Sequence, residues 1–88
     1  MSPAIHREIG YVFYFVSFDV LSGEPPHVHI GESRPQPGRD AKIWLNPIEI
    51  AGTGRFENSD IQRMIRVVRR QQVPFLEAWN DYRTRIRG

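Results

Sequence analysis

The 88-residue chain contains no cysteine. Disulfides and thiolate metal sites are therefore excluded, and a reducing compartment is permitted. Long apolar runs are missing too. The longest, residues 11–16, falls far short of the roughly 20 residues a membrane-spanning helix needs. The first ten residues show no apolar stretch followed by a leader cleavage site. Together these absences predict a cytoplasmic protein with no membrane contact. Lysine is almost absent: Lys42 is the single one among twelve basic residues, and the other eleven are arginine.

What is present is unevenly spread. Residues 1–54 hold four Lys or Arg against six Asp or Glu, a balance of −2, whereas residues 55–88 hold eight Arg against four acids, a balance of +4. Guanidinium groups suit bidentate contact with phosphate or carboxylate. The basic half therefore fits an anionic partner, nucleic acid or acidic protein, or else a solvated helix face. A chain of this length builds one core and buries only about 60–65 % of its unfolded surface. Help from a partner, a second copy included, fits that modest core.

The chain reads as strands first and helices after. Residues 1–9 form an irregular or short strand lead-in. Residues 11–19, dense in aromatic and β-branched side chains, read as a central strand covered on both sides. Ser22-Gly23-Glu24-Pro25-Pro26 is a turn-rich connection, followed by a second strand over 27–31. Residues 32–40 are a polar, proline-rich loop. Residues 41–45 alternate as a third strand, ended by Asn46-Pro47, and 48–50 supply a short fourth with Ile48 and Ile50 inward. Gly52-Thr53-Gly54 lacks the lysine and hydroxyl of a phosphate loop and reads as a turn.

From Asn58 the period changes. Ser59 and Gln62 have the spacing of a capping box, and Ile61, Met64, Ile65 and Val68 make one helical stripe. Pro74 suits the first turn of a second helix, in which Phe75, Leu76, Trp79, Tyr82 and Ile86 repeat the helical spacing. The predicted fold is a single α+β domain over 1–88. It has a small antiparallel sheet of three to four strands (about 5–51) and two C-terminal helices (about 58–87) packed on one face. The other face is expected to be open.

The chemistry gathers at Pro25-Pro26-His27-Val28-His29-Ile30. On a strand, positions i and i+2 share a face, so His27 and His29 stand side by side. Lys42 and Trp44 take the corresponding face of the next strand. Two imidazoles with split pKa values can serve as base and acid, and Lys42 or Arg39 can hold a phosphate. Trp44 can stack a base. Metal-independent cleavage of RNA is thus the first enzymatic guess, with His27, His29 and Lys42 as catalytic candidates. The plainer reading is that both histidines decorate a strand. No metal site and no cofactor are assigned, because no spacing places a third ligand among His6, Asp19, Asp40 and Glu49. Arg63, Arg66 and Arg70 form a row fit for a phosphate backbone or an acidic protein.

Three blocks, Pro26-His27-Val28-His29-Ile30, Ala41-Lys42-Ile43-Trp44-Leu45-Asn46-Pro47 and Leu76-Glu77-Ala78-Trp79-Asn80-Asp81-Tyr82, resemble the bacterial family called domain of unknown function 4160. The resemblance runs from about Ile5 to Tyr82. Its departures are a longer, proline-rich loop over 32–40 and a basic tail over 83–87. Membership would imply a small protein encoded beside another short gene, the pair commonly proposed to be a toxin–antitoxin module. The expectation is a toxin-like component bound by a small antitoxin-like neighbour, with RNA as target. The alternative is a non-enzymatic binding module that uses the sheet face and the Arg-rich helix.

Overall fold

A computed structural model describes residues 4–87. Five antiparallel strands follow one another as a meander: β1 (Ala4–Glu8), β2 (Tyr11–Tyr14), β3 (His27–Glu32), β4 (Ala41–Leu45) and β5 (Ile48–Gly52). A short helix, α1 (Ser17–Leu21), interrupts the sheet after β2. Two longer helices, α2 (Asn58–Arg70) and α3 (Gln72–Arg87), close the chain. The α+β class and the order of strands before C-terminal helices are as the sequence predicts. The additional strand is β1, which lies in the lead-in and pairs with β2 through a two-residue turn at Ile9 and Gly10.

Alternation along the strands sorts the side chains. Tyr11 and Phe13 of β2, Val28 and Ile30 of β3, and Ala41, Ile43 and Leu45 of β4 form one apolar face. That face packs against Ile61, Met64, Ile65 and Val68 of α2 and against Phe75 and Trp79 of α3. Pro74 falls in the first turn of α3, where a missing N–H breaks no helical bond. Only Gln71 separates the two helices, and its N–H still bonds to Val67 O at 2.9 Å.

Several local expectations are corrected. The strand expected over 11–19 stops at Tyr14, because Phe15 leaves the ladder to pack edge-on against Trp79, at a centroid distance of 5.2 Å. Residues 17–21 then turn into α1, closed by the Ser22 N–H on Phe18 O at 2.9 Å. The N-cap of α2 lies two residues before the expected one. Glu57, not Ser59, is the N-cap, and its N–H bonds to Asp60 Oδ2 at 3.3 Å. The carboxylate that can reach back is at 60, so it selects the frame. Of the two β5 isoleucines only Ile48 packs against the core, while Ile50 is exposed.

The largest correction concerns the second sheet face, which is not open. It carries Val12 and Tyr14 from β2, His27, His29 and Gly31 from β3, and Asp40, Lys42 and Trp44 at β4. Val12, Tyr14 and His27 are all 0 % exposed. The loop over 33–40 folds back on this face and is tied down by Asp40. One Asp40 oxygen accepts from the Tyr14 hydroxyl at 2.6 Å and from the Gln36 N–H at 2.7 Å. At the other end α1 covers the face and meets α3 through Ser17 Oγ and the Tyr82 hydroxyl.

Candidate functional site

The extended backbone of β3 brings His27 and His29 together as expected, with ring centroids 5.2 Å apart and planes at 74°. Cross-strand pairing sets Trp44 opposite His27 and Lys42 opposite His29. The site is completed from α1. Asp19 Oδ2 lies 2.8 Å from His27 Nε2 and 2.9 Å from His29 Nε2. One carboxylate oxygen thus joins both rings.

Each ring is held from behind. The Nδ1–H of His27 donates to Pro25 O at 2.9 Å, which fixes the ring's tilt through the chain's own proline turn. His27 is also walled by Trp44 at 5.3 Å and by Trp79 of α3 at 5.1 Å. His29 stacks on Tyr14, with centroids 5.4 Å apart and planes at 22°. Its Nδ1 is buried with no hydrogen-bond partner among the described residues. The opening to solvent is narrow. The His27 side chain is fully covered, that of His29 is 9 % exposed and that of Asp19 16 %.

Electrostatics follow from this enclosure. Burial alone would raise the Asp19 carboxyl, but hydrogen bonding to His29 and His27 and the attraction of both rings outweigh it, so its pKa lies below the ordinary value. Burial pushes the His29 imidazole down. Asp19 opposes that shift, and His27 and Lys42 reinforce it. Tyr14 is driven up by burial and by its hydrogen bond to Asp40. At the rim, Lys42 Nζ bonds to Glu24 Oε1 at 2.7 Å and lies 4.6 Å from the centre of the Trp44 ring.

His27, His29, Lys42 and Trp44 therefore share one neighbourhood. The arginines do not. Arg39 is exposed at the end of the covering loop, and Arg63, Arg66 and Arg70 lie on α2, whose buried stripe packs on the opposite sheet face. Arg63 pairs with Asp60 at 2.7 Å and Arg70 pairs with Glu8, while Arg66 stands exposed. Asp19 is the site residue that spacing could not place. It precedes His27 by eight positions, and only the turn of α1 brings it back over the strand. Its one visible signal is being an acid inside an apolar, aromatic stretch.

Fold and site define a small α+β domain whose meander sheet carries a carboxylate–imidazole cluster under a short helix. The chain belongs to the family described as Domain of unknown function (DUF4160), whose model matches residues 10–80. That span contains α1, the whole cluster and most of the helical layer. Neither the curated proteins nor the solved structures contain a significant match to it.

Proposed function

We propose that the protein is the toxin-like component of a bacterial two-gene toxin–antitoxin module. In this reading it acts in the cytoplasm on RNA and is neutralised by a small antitoxin-like protein encoded beside it. The observation that supports it is the convergence of Asp19 on His27 and His29, beside the Lys42–Trp44 rim. A carboxylate that fixes two imidazoles is a proton-transfer unit. Lys42 is a cation for phosphate once released from Glu24, and Trp44 offers a face for a base. Because both Nε2 atoms share one oxygen, the rings work with Asp19 as a single unit. They do not flank a phosphate as independent acid and base.

Expression of the chain without its genomic neighbour tests the reading. Growth arrest is expected, with recovery and co-purification of the two proteins when the neighbour is supplied. Expression that is harmless with the neighbour deleted contradicts it.

A non-enzymatic protein-binding module is the second reading, and one contrast favours it. The imidazoles are enclosed, while α1 carries Phe18 at 75 % and Leu21 at 52 % exposure and α2 presents Arg66 to solvent. This reading expects a stoichiometric complex with no turnover of RNA. Trp44→Ala or Arg66→Ala would then weaken partner binding more than His29→Ala does.

A further inference from the structure

We propose that Asp19, His27 and His29 form a binding site for one divalent transition-metal ion of the zinc type, held by the Asp19 carboxylate and the two Nε2 atoms. The site does not depend on the toxin reading, although an ion bound there would take the Nε2 atoms that reading uses for proton transfer.

The argument begins with a proton count. Pro25 O is a carbonyl and can only accept, so the hydrogen of a neutral His27 ring sits on Nδ1, 2.9 Å away. The Nε2 atom of that ring then presents a lone pair to Asp19 Oδ2 at 2.8 Å. Two acceptors at that distance repel unless a positive centre lies with them. A second proton on His27 relieves this one contact. A divalent cation relieves it and also binds His29 Nε2, 2.9 Å from the same oxygen, once that ring's hydrogen is on Nδ1. An imidazole whose Nδ1–H is fixed on a backbone carbonyl has the orientation and tautomer typical of a metal ligand bound through Nε2.

The geometry accommodates the ion. The three donor groups lie within 4.8 Å of one another. Tetrahedral zinc with bonds of roughly 2.0–2.2 Å sets its donor atoms about 3.3 Å apart. The carboxylate must therefore withdraw by about 0.5 Å, and the two Nε2 atoms, within 4.8 Å of each other, must settle to that spacing. Asp19 is carried on a five-residue helix and is the most exposed of the three, so it has room to move. Charge does not oppose entry. The carboxylate brings −1, and Lys42, the cation facing His29, is offset by Glu24 at 2.7 Å. Two nitrogens and one oxygen favour zinc, cobalt, nickel or ferrous iron over magnesium or calcium. Three protein ligands leave a fourth position, and Asp19 and His29 are the two of the three that solvent reaches. That is the arrangement of a zinc site open to water or substrate, as opposed to a closed structural one.

The test uses protein purified without an affinity tag and stripped with chelator. Titration with ZnCl2 against a chromophoric chelator should give one equivalent per chain. Asp19→Asn and His29→Gln should each weaken binding by about tenfold or more, and His6→Gln should leave it unchanged. On the wild-type protein, long-range ¹H–¹⁵N spectra should show the Nε2 resonances of His27 and His29 moving on zinc addition while those of His6 stay. This readout needs no variant to fold. Binding below about one-tenth of an equivalent overturns the proposal. So does affinity unaltered in both Asp19→Asn and His29→Gln, or imidazole resonances of His27 and His29 that do not move.

Discussion

A side-chain carbon on Gly31 would stand 2.4 Å from Asp40 Oδ2. The missing side chain is the gap across which Asp40 reaches the Tyr14 hydroxyl, on the far side of β3. Gly31→Ala should therefore displace the carboxylate and loosen the covering loop, at about 2 kcal/mol of folding stability. Chemical denaturation measures this, and an unmoved midpoint would show that the loop is not anchored there.

Tyr14→Phe keeps the ring that stacks on His29 and removes only the hydroxyl. The Asp40 side chain is fully buried, and its remaining contacts are the Gln36 N–H at 2.7 Å and the Arg55 guanidinium at 3.5 Å. Leaving a buried carboxylate short of one donor is expected to cost about 1–3 kcal/mol. Comparing unfolding curves of the variant and the parent checks this. A loss no larger than that of an ordinary surface change would mean that water or Arg55 substitutes fully.

Trp79 ties the helical layer to the candidate site by packing on both Phe15 and His27. Trp79→Ala should cost about 3–5 kcal/mol, a large part of a small domain's stability. The same variant should broaden the His27 resonances in NMR spectra, since one wall of that ring is gone. Sharp, unshifted His27 signals would show that β3 and α1 hold the ring unaided.

Acid should weaken the fold through two carboxylates outside the site. Glu8 is held below its ordinary value of 4.5, chiefly by the Arg70 guanidinium and then by His6. Asp60 is held below 3.8 by the Tyr11 hydroxyl first and by Arg63. Both bind protons less readily folded than unfolded. Their contribution is thus present above the ordinary carboxyl values and is lost as pH falls through the lowered folded ones. Stability measured from pH 6 to pH 2 should decline across that window, and Arg70→Ala should lessen the Glu8 share. A flat profile for the parent protein would contradict the assignment.

The fold was largely legible because alternation and helical spacing are long-range patterns. The apolar stripe of α2, Pro74 at the head of α3, and the common face of His27, His29, Lys42 and Trp44 follow from such patterns. The register that sets His27 opposite Trp44 and His29 opposite Lys42 does not. The site was only half legible. A two-residue spacing on a strand announces the histidines, but Asp19 reaches them through a five-residue helix inside a stretch rich in β-forming side chains. Residues 15–19 look like a continuing strand, since Phe15, Val16 and Phe18 all favour one. The tertiary contact of Phe15 with Trp79 overrides that local preference. The same short helix and the Asp40-anchored loop turn an expected open face into an enclosed one. Neither covering element carries a periodic signature.

The most direct measurement for the central claim sets the cluster against the outer surface of the molecule. Wild type, Asp19→Asn, His29→Gln and Arg66→Ala would each be expressed without the genomic neighbour, with folding of each variant verified by circular dichroism. If the Asp19–His27–His29 unit carries the activity, the two cluster variants lose growth arrest while folded, and Arg66→Ala retains it. Arrest that persists in both cluster variants and disappears in Arg66→Ala would move the function to the arginine face and contradict the account.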